Sequence, residues 1–205
     1  MHATLPLLNA LGFLAIRRGR LEALQVNLTY RCNQHCLHCH VNAGPTRSEA
    51  MTDESLALLH QVIDAHPVQT LDLTGGAPEM HPRFREIVTH ARREGLRVID
   101  RCNLTILGEP GYADLTAFLA EQGVEVTASL PCYSRENVDR QRGDGVFEAS
   151  IAGLKTLNRL GYGMDGSGLI LKLVYNPQGP RLPPPQARLA EDFGIHFSHL
   201  LTITN

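Results

Sequence analysis

The chain has 205 residues, 43% apolar and 20% charged, with a formal net charge of −2. That is enough for one sizeable soluble domain with its own core, and too little for a complete eight-unit α/β barrel. Without a basic footprint or any tryptophan, a nucleic-acid substrate is disfavoured, because it calls for phosphate-pairing cations and stacking platforms.

Residues 1–22 read as a short amphipathic helix or cover segment, ahead of a main domain over 23–205. The apolar run from Leu5 to Ile16 is interrupted by Asn9 and Gly12 and is followed, not preceded, by Arg17, Arg18 and Arg20. This is the wrong order for a signal peptide, and the run is too short to span a bilayer, so a cytoplasmic location without membrane contact is expected. Leu24, Val26 and Leu28 then alternate as in a strand. Directly after it, Cys32, Cys36 and Cys39 form the spacing C-x3-C-x2-C, three of the five cysteines in the chain.

Thiols this close together suit one soft metal centre. Structural zinc usually closes four ligands and an ordinary iron–sulfur cluster takes four cysteines, so a local three implies a distant fourth ligand or an open position. The odd cysteine count and the missing signal-peptide pattern disfavour a disulfide framework. His35, His38 and His40 offer extra donors to zinc, but no second C-x2-C or Cys/His pair follows.

Downstream, Thr52 reads as the N-cap of a helix with Asp53 and Glu54 in its first turn and Leu56, Leu59, Val62 and Ile63 on one face. Strands are expected at 68–73, 96–101, 124–130, 170–175 and 195–203. Between them come a helix with Pro82 near its start, then helices near 112–122, 146–160 and 185–193, closed by Gly95, Gly123, Gly161 and Gly194. Strands alternating with helices mean parallel βα units and an α/β fold, whose working residues lie at the C-terminal strand ends. Those ends carry Gly75, Gly76, Ala77 and Glu79 after the second strand, Cys102 and Asn103 after the third, and Ser129 and Cys132 after the fourth. The charged stretch Asn137–Gly145 reads as a solvated loop, and Tyr175–Pro180 as a rigid loop able to close over a ligand.

The cysteine loop after the first strand resembles that of the radical S-adenosylmethionine (SAM) superfamily. The resemblance implies an open partial TIM-type (β/α)6 barrel, with a [4Fe–4S] cluster held by Cys32, Cys36 and Cys39. It implies that SAM chelates the fourth iron and is cleaved reductively to methionine and a 5′-deoxyadenosyl radical, with an electron donor such as a flavodoxin or ferredoxin. Gly75, Gly76, Ala77 and Glu79 would then form the turn that binds the SAM amino group. Ala77 stands where the family carries an acid, and Glu79 follows the proline. His38 falls beside the adenine, and Asn103 and Ser129 are candidates for the SAM ribose or carboxylate.

More specifically, Leu24–Leu28, Cys32–Val41, Leu73–Glu79, Asp100–Thr105 and Ser129–Tyr133 are together similar to the arsenosugar-biosynthesis radical SAM proteins, whose members continue beyond the position of Asn205. That similarity implies coupling of the 5′-deoxyadenosyl group to a dimethylated trivalent arsenical, with SAM consumed as co-substrate. Cys102 and Cys132 become candidate catalytic thiols that bind or deliver the arsenical, aimed at the cluster face, with Arg101 or the cluster field lowering the thiol pKa. Two alternatives stand beside it. One is a radical SAM enzyme acting on a peptide or other small metabolite. The other is a non-catalytic thiol-based arsenic- or metal-binding protein, which has no need of the Gly75-Gly76 turn.

Overall fold

Along Leu171–Tyr175 every second side chain is buried, the period of a strand with one face packed and one face open. In the computed structural model, which describes residues 4–14, 19–37, 39–130, 132–176 and 182–202, this segment is one of six parallel strands. They are β1 (Ala23–Thr29), β2 (Thr70–Gly75), β3 (Arg97–Asp100), β4 (Glu125–Ser129), β5 (Leu171–Tyr175) and β6 (His199–Thr202), hydrogen-bonded in chain order. Each strand pairs with its successor and the sheet does not close from β6 back to β1. This is the open partial barrel expected from the sequence.

The two faces of the sheet differ sharply. Leu71, Leu73, Val98, Val126, Ala128, Leu171 and Leu173 turn toward the helices and are buried. Strand alternation puts Gln25, Asp72, Arg101, Glu125 and Lys172 on the other, concave face. There Arg101 donates Nε–H to Asp72 Oδ1 at 2.7 Å and a second N–H to Oδ2 at 2.7 Å, while Lys172 Nζ lies 2.5 Å from Glu125 Oε1. The buried Asp72 and Glu125 are tolerated on this face because each is paired with a cation.

The helices follow from capping and periodicity. Thr52 accepts the Ser55 N–H at 3.3 Å and starts α2 (Asp53–Ala65), which buries Leu56, Leu59 and Ile63, coming after α1 (Leu5–Ala10). Next, α3 (Phe84–Arg93) buries Phe84, Ile87, Val88 and Ala91; each of the three larger side chains contributes roughly 1.5–3 kcal/mol on leaving water. α4 (Leu115–Glu121), α5 (Arg135–Arg142), α6 (Val146–Arg159) and α7 (Gln186–Phe193) complete the set.

Three differences from expectation stand out. The stretch Asn137–Gly145 is not a solvated loop: its first part is α5, which buries Val138, Gln141 and Arg142. The last strand is shorter than 195–203, because Ile195 and Phe197 pack into the core before it begins. α1 exposes all of its residues. Among the described residues, no helix is long and apolar enough to cross a membrane.

Candidate functional site

At its C-terminal end β1 runs into the cysteine loop, and β2 supports that loop through backbone contact. The Gly76 N–H donates to Thr29 O at 2.7 Å and the Ala77 N–H to Arg31 O at 2.9 Å. A Cβ on Gly75 would sit 2.4 Å from Thr29 O, and one on Gly76 would sit 2.3 Å from Arg31 O. Gly75 also holds φ at +124°. Two glycines are therefore required for the chains to approach this closely.

The loop closes on itself through Cys32 N–H to Gly44 O at 3.2 Å and Gly44 N–H to Tyr30 O at 3.1 Å, and Leu37 N–H reaches Gln141 O of α5 at 3.0 Å. Cys32 is buried and Cys36 and Cys39 are half-buried. Cys32 Sγ accepts from the Gln34 amide and from Asn103 Nδ2, each at 3.4 Å, and Cys39 Sγ accepts from the Ala43 amide at 3.3 Å. Burial pushes the Cys32 thiol up, and the Gln34 and Asn103 donors pull it back. Burial also raises Cys36, against the nearby Arg142 guanidinium.

Cys32, Cys36, Cys39, Gly75, Gly76, Asn103 and Ser129 all line one cavity of about 210 Å³, together with Arg101 and Arg142. Arg142 escaped the sequence reading. Its Nη1–H donates to Ser129 O at 3.0 Å, while its buried Nε has no partner among the described residues. Burial holds the guanidinium below its ordinary value, offset by Cys36, Cys32 and Cys39. The signal that could have found it is helical spacing, since Val138 stands three and four residues before the other two buried residues of α5.

Several expected site residues are otherwise engaged or lie elsewhere. Asn103 lines the cavity, but its Nδ2 is engaged by Asn33 Oδ1 at 2.7 Å and by Cys32 Sγ, and its Oδ1 caps the Ile106 N–H at 3.1 Å. It supports the cysteine loop rather than presenting a free amide. Ala77 is buried beneath Cys32. Glu79 is turned into the protein beside Asp100 and Cys102, not toward the cavity. Cys102 is fully buried in the helix-facing core, because strand alternation aims Arg101 and Cys102 to opposite faces. Arg101 cannot lower its pKa from there; burial, with Glu79 and Asp100 close by, pushes the Cys102 thiol well up. Cys132 lines a separate, small apolar depression with Tyr133, Tyr175 and Leu189. His38, and Pro177–Pro180 of the expected covering loop, lie outside the described residues.

The donor set fits an iron–sulfur cluster. Three thiols line one cavity, two of their sulfurs take N–H donors, and a glycine turn and a buried guanidinium whose Nε has no partner among the described residues face the same space. The model of the radical SAM superfamily matches residues 26–173. The chain belongs to the radical SAM superfamily. That family uses a [4Fe–4S] cluster and SAM.

Its similarity to individual radical SAM proteins is broader than it is deep. It is 26% identical over 190 residues to a probable GTP 3′,8-cyclase of Metallosphaera sedula, covering 91% of this chain and 57% of that protein. It is 29% identical over 182 residues to the Fe-coproporphyrin III synthase of Methanosarcina barkeri, covering 85% of this chain and 43% of the relative. Among solved structures, Streptococcus suis SuiB bound to its precursor peptide SuiA superposes with a TM-score of 0.68 at 15% identity, over 97% of this chain and 42% of SuiB. The AdoMet-bound anSMEcpe matches with a TM-score of 0.68 at 16% identity, over 90% of this chain and 51% of its own. These superpositions speak for the shared fold. The chain spans less than two thirds of the length of each of these proteins.

Proposed function

We propose that the chain carries a radical SAM enzyme activity that cleaves SAM reductively and couples the 5′-deoxyadenosyl group to a dimethylated trivalent arsenical. The observation that carries SAM cleavage is the convergence of Cys32, Cys36, Cys39, the Gly75-Gly76 turn, Ser129 and Arg142 on one cavity. Cys32, Cys36 and Cys39 would hold the [4Fe–4S] cluster, which when bound supplies the electron for reductive cleavage of the sulfonium. The amides of Gly76 and Ala77 are taken by β1 and the cysteine loop, so the turn is left to offer carbonyl oxygens, suited to the SAM ammonium. Arg142, held to Ser129 O through Nη1 and with no partner for Nε among the described residues, is suited to the SAM carboxylate. An electron donor of the flavodoxin or ferredoxin type belongs to the same proposal.

The arsenical rests on the run of motifs similar to arsenosugar-biosynthesis proteins. A second reading, radical chemistry on a peptide or another small metabolite, is favoured by the placement of the thiols, since neither Cys102 nor Cys132 lines the cavity. The cavity with its glycine cradle speaks against a purely thiol-based binding protein.

The test is anaerobic reconstitution with iron and sulfide, then SAM, dithionite and dimethylarsenite, with products read by mass spectrometry. An arsenic-bearing 5′-deoxyadenosine is the expected product. Plain 5′-deoxyadenosine, with or without the arsenical, would transfer the case to the second reading. Absence of any SAM cleavage in a cluster-loaded chain would overturn both. Cys132→Ser tests the remaining thiol: loss of the arsenic product with SAM cleavage intact assigns it to the substrate, and an unchanged product removes it from the site.

A further inference from the structure

Glu79, Asp100 and Cys102 meet on the helix-facing side of the sheet, away from the cavity of the cluster loop. One donor atom from each lies within 4.8 Å of the other two, and the side chains are 5%, 0% and 0% exposed. The four carboxylate oxygens have no hydrogen-bond partner among the described residues. The guanidinium next in sequence, Arg101, is paired with Asp72 on the opposite face. Two buried carboxylates with no counter-cation among the described residues are strongly unfavourable as free anions, so something neutralises them.

Protons or a cation can do so, and the third group decides between them. A proton shared between the two carboxyls, with the Cys102 S–H donating to them, still leaves one negative charge buried without a cation. One sulfur and two carboxylate oxygens, by contrast, form a donor set that zinc and similar borderline divalent ions accept. The sulfur is prepared as an acceptor: the Leu104 N–H donates to Cys102 Sγ at 3.3 Å, the same two-residue N–H···S contact that Gln34 makes to Cys32 at 3.4 Å. At the same place the fully buried Leu104 holds φ at +67°, a conformation rare for a side chain with a Cβ.

We infer that Glu79, Asp100 and Cys102 form a second metal site, for a single divalent ion of the zinc class, which ties the turn after β2 to the end of β3. The ion is structural, enters as the chain folds, and holds the Gly75–Glu79 segment from behind while its other side faces the cavity. This inference stands apart from the proposed reaction and needs no turnover to be tested.

The experiment is zinc K-edge absorption on the anaerobically reconstituted chain, with Cys32, Cys36 and Cys39 filled by the iron–sulfur cluster, after addition of one equivalent of zinc and gel filtration. The expected spectrum has one sulfur neighbour at about 2.3 Å and two or more oxygen neighbours at about 2.0–2.2 Å. The sulfur shell should vanish in Cys102→Ser, and the same spectrum should persist in a chain carrying Cys32→Ser, Cys36→Ser and Cys39→Ser. A second measurement guards against a variant that folds poorly: zinc should raise the melting temperature of the wild-type chain, and Glu79→Gln should abolish that rise. Failure to retain zinc, a sulfur-only shell, or a spectrum unchanged in Cys102→Ser would overturn the inference and leave Glu79 and Asp100 neutralised by protons.

Discussion

The Cα of Gly76 lies so close to the cysteine loop that any side chain there would meet the Arg31 carbonyl, at 2.3 Å for the first added carbon. Backbone cannot yield as a flexible side chain can, so Gly76→Ala should push β2 away from the loop. The expected result is a loss of about 1–3 kcal/mol of stability in urea titration together with weaker SAM binding. Wild-type affinity in that variant would show that the turn tolerates displacement. Arg142 gives a complementary prediction. Removing a buried charge that pairs with a ligand carboxylate typically costs about 2–5 kcal/mol, so Arg142→Gln should raise the SAM dissociation constant by well over tenfold. The iron content should stay at wild-type level, which separates a lost ligand contact from a lost cluster. At this scale the three cysteines and the two glycines were legible in the sequence, because their spacing is itself the chemistry. Arg142 was not, since in its run of charges the only mark of a buried face is the spacing from the single apolar residue Val138. The side of the sheet taken by Cys102 was not legible either, because a shift of one residue at a strand end exchanges the two faces.

Several elements are governed by local rules and so are legible in the sequence. Thr52 caps α2 as its side-chain chemistry demands, and Thr52→Ala should cost about 1 kcal/mol, seen as a lower denaturation midpoint without change in the slope. α5 was missed for the opposite reason: Arg135–Arg142 is strongly polar, and only tertiary contact of Val138, Gln141 and Arg142 with the barrel gives the helix a buried face. The connection after β3 shows what such segments contribute to the site. Asn103 links Asn33 and the Cys32 sulfur to the turn at Ile106, and Thr105 Oγ1 accepts from Asn33 and from Gln34 at 2.9 and 2.8 Å. Hydrogen bonds to a cluster sulfur favour its more negative, reduced state. Asn103→Ala should therefore lower the cluster reduction potential in an anaerobic redox titration. An unchanged potential would mean that the Gln34 amide alone sets the field at Cys32.

Across the whole molecule the order of strands was legible because each βα unit repeats the same pattern, and sequential parallel pairing is the simplest way to wind it. How far the sheet curves and where it stays open depend on side chains meeting from distant segments, which no local pattern records. The same distinction predicts how the cluster couples to stability. The main core gathers residues from β1 to β5 and their helices, whereas Cys32, Ala43 and Ala77 form a separate small cluster, with Cys39, Val41 and Met80 packed against it. Few backbone bonds hold the loop to the barrel, Leu37 to Gln141 among them. Segments with little buried apolar contact open locally at low free energy. Removing the iron with a chelator should accordingly speed amide exchange throughout residues 33–43 and leave the amides of β2 and β3 protected. The melting transition should persist, and exchange in the loop should slow again on reconstitution. Loss of the whole transition on chelation would instead make the cluster part of the folding nucleus, with metal binding supplying the stability of the barrel itself.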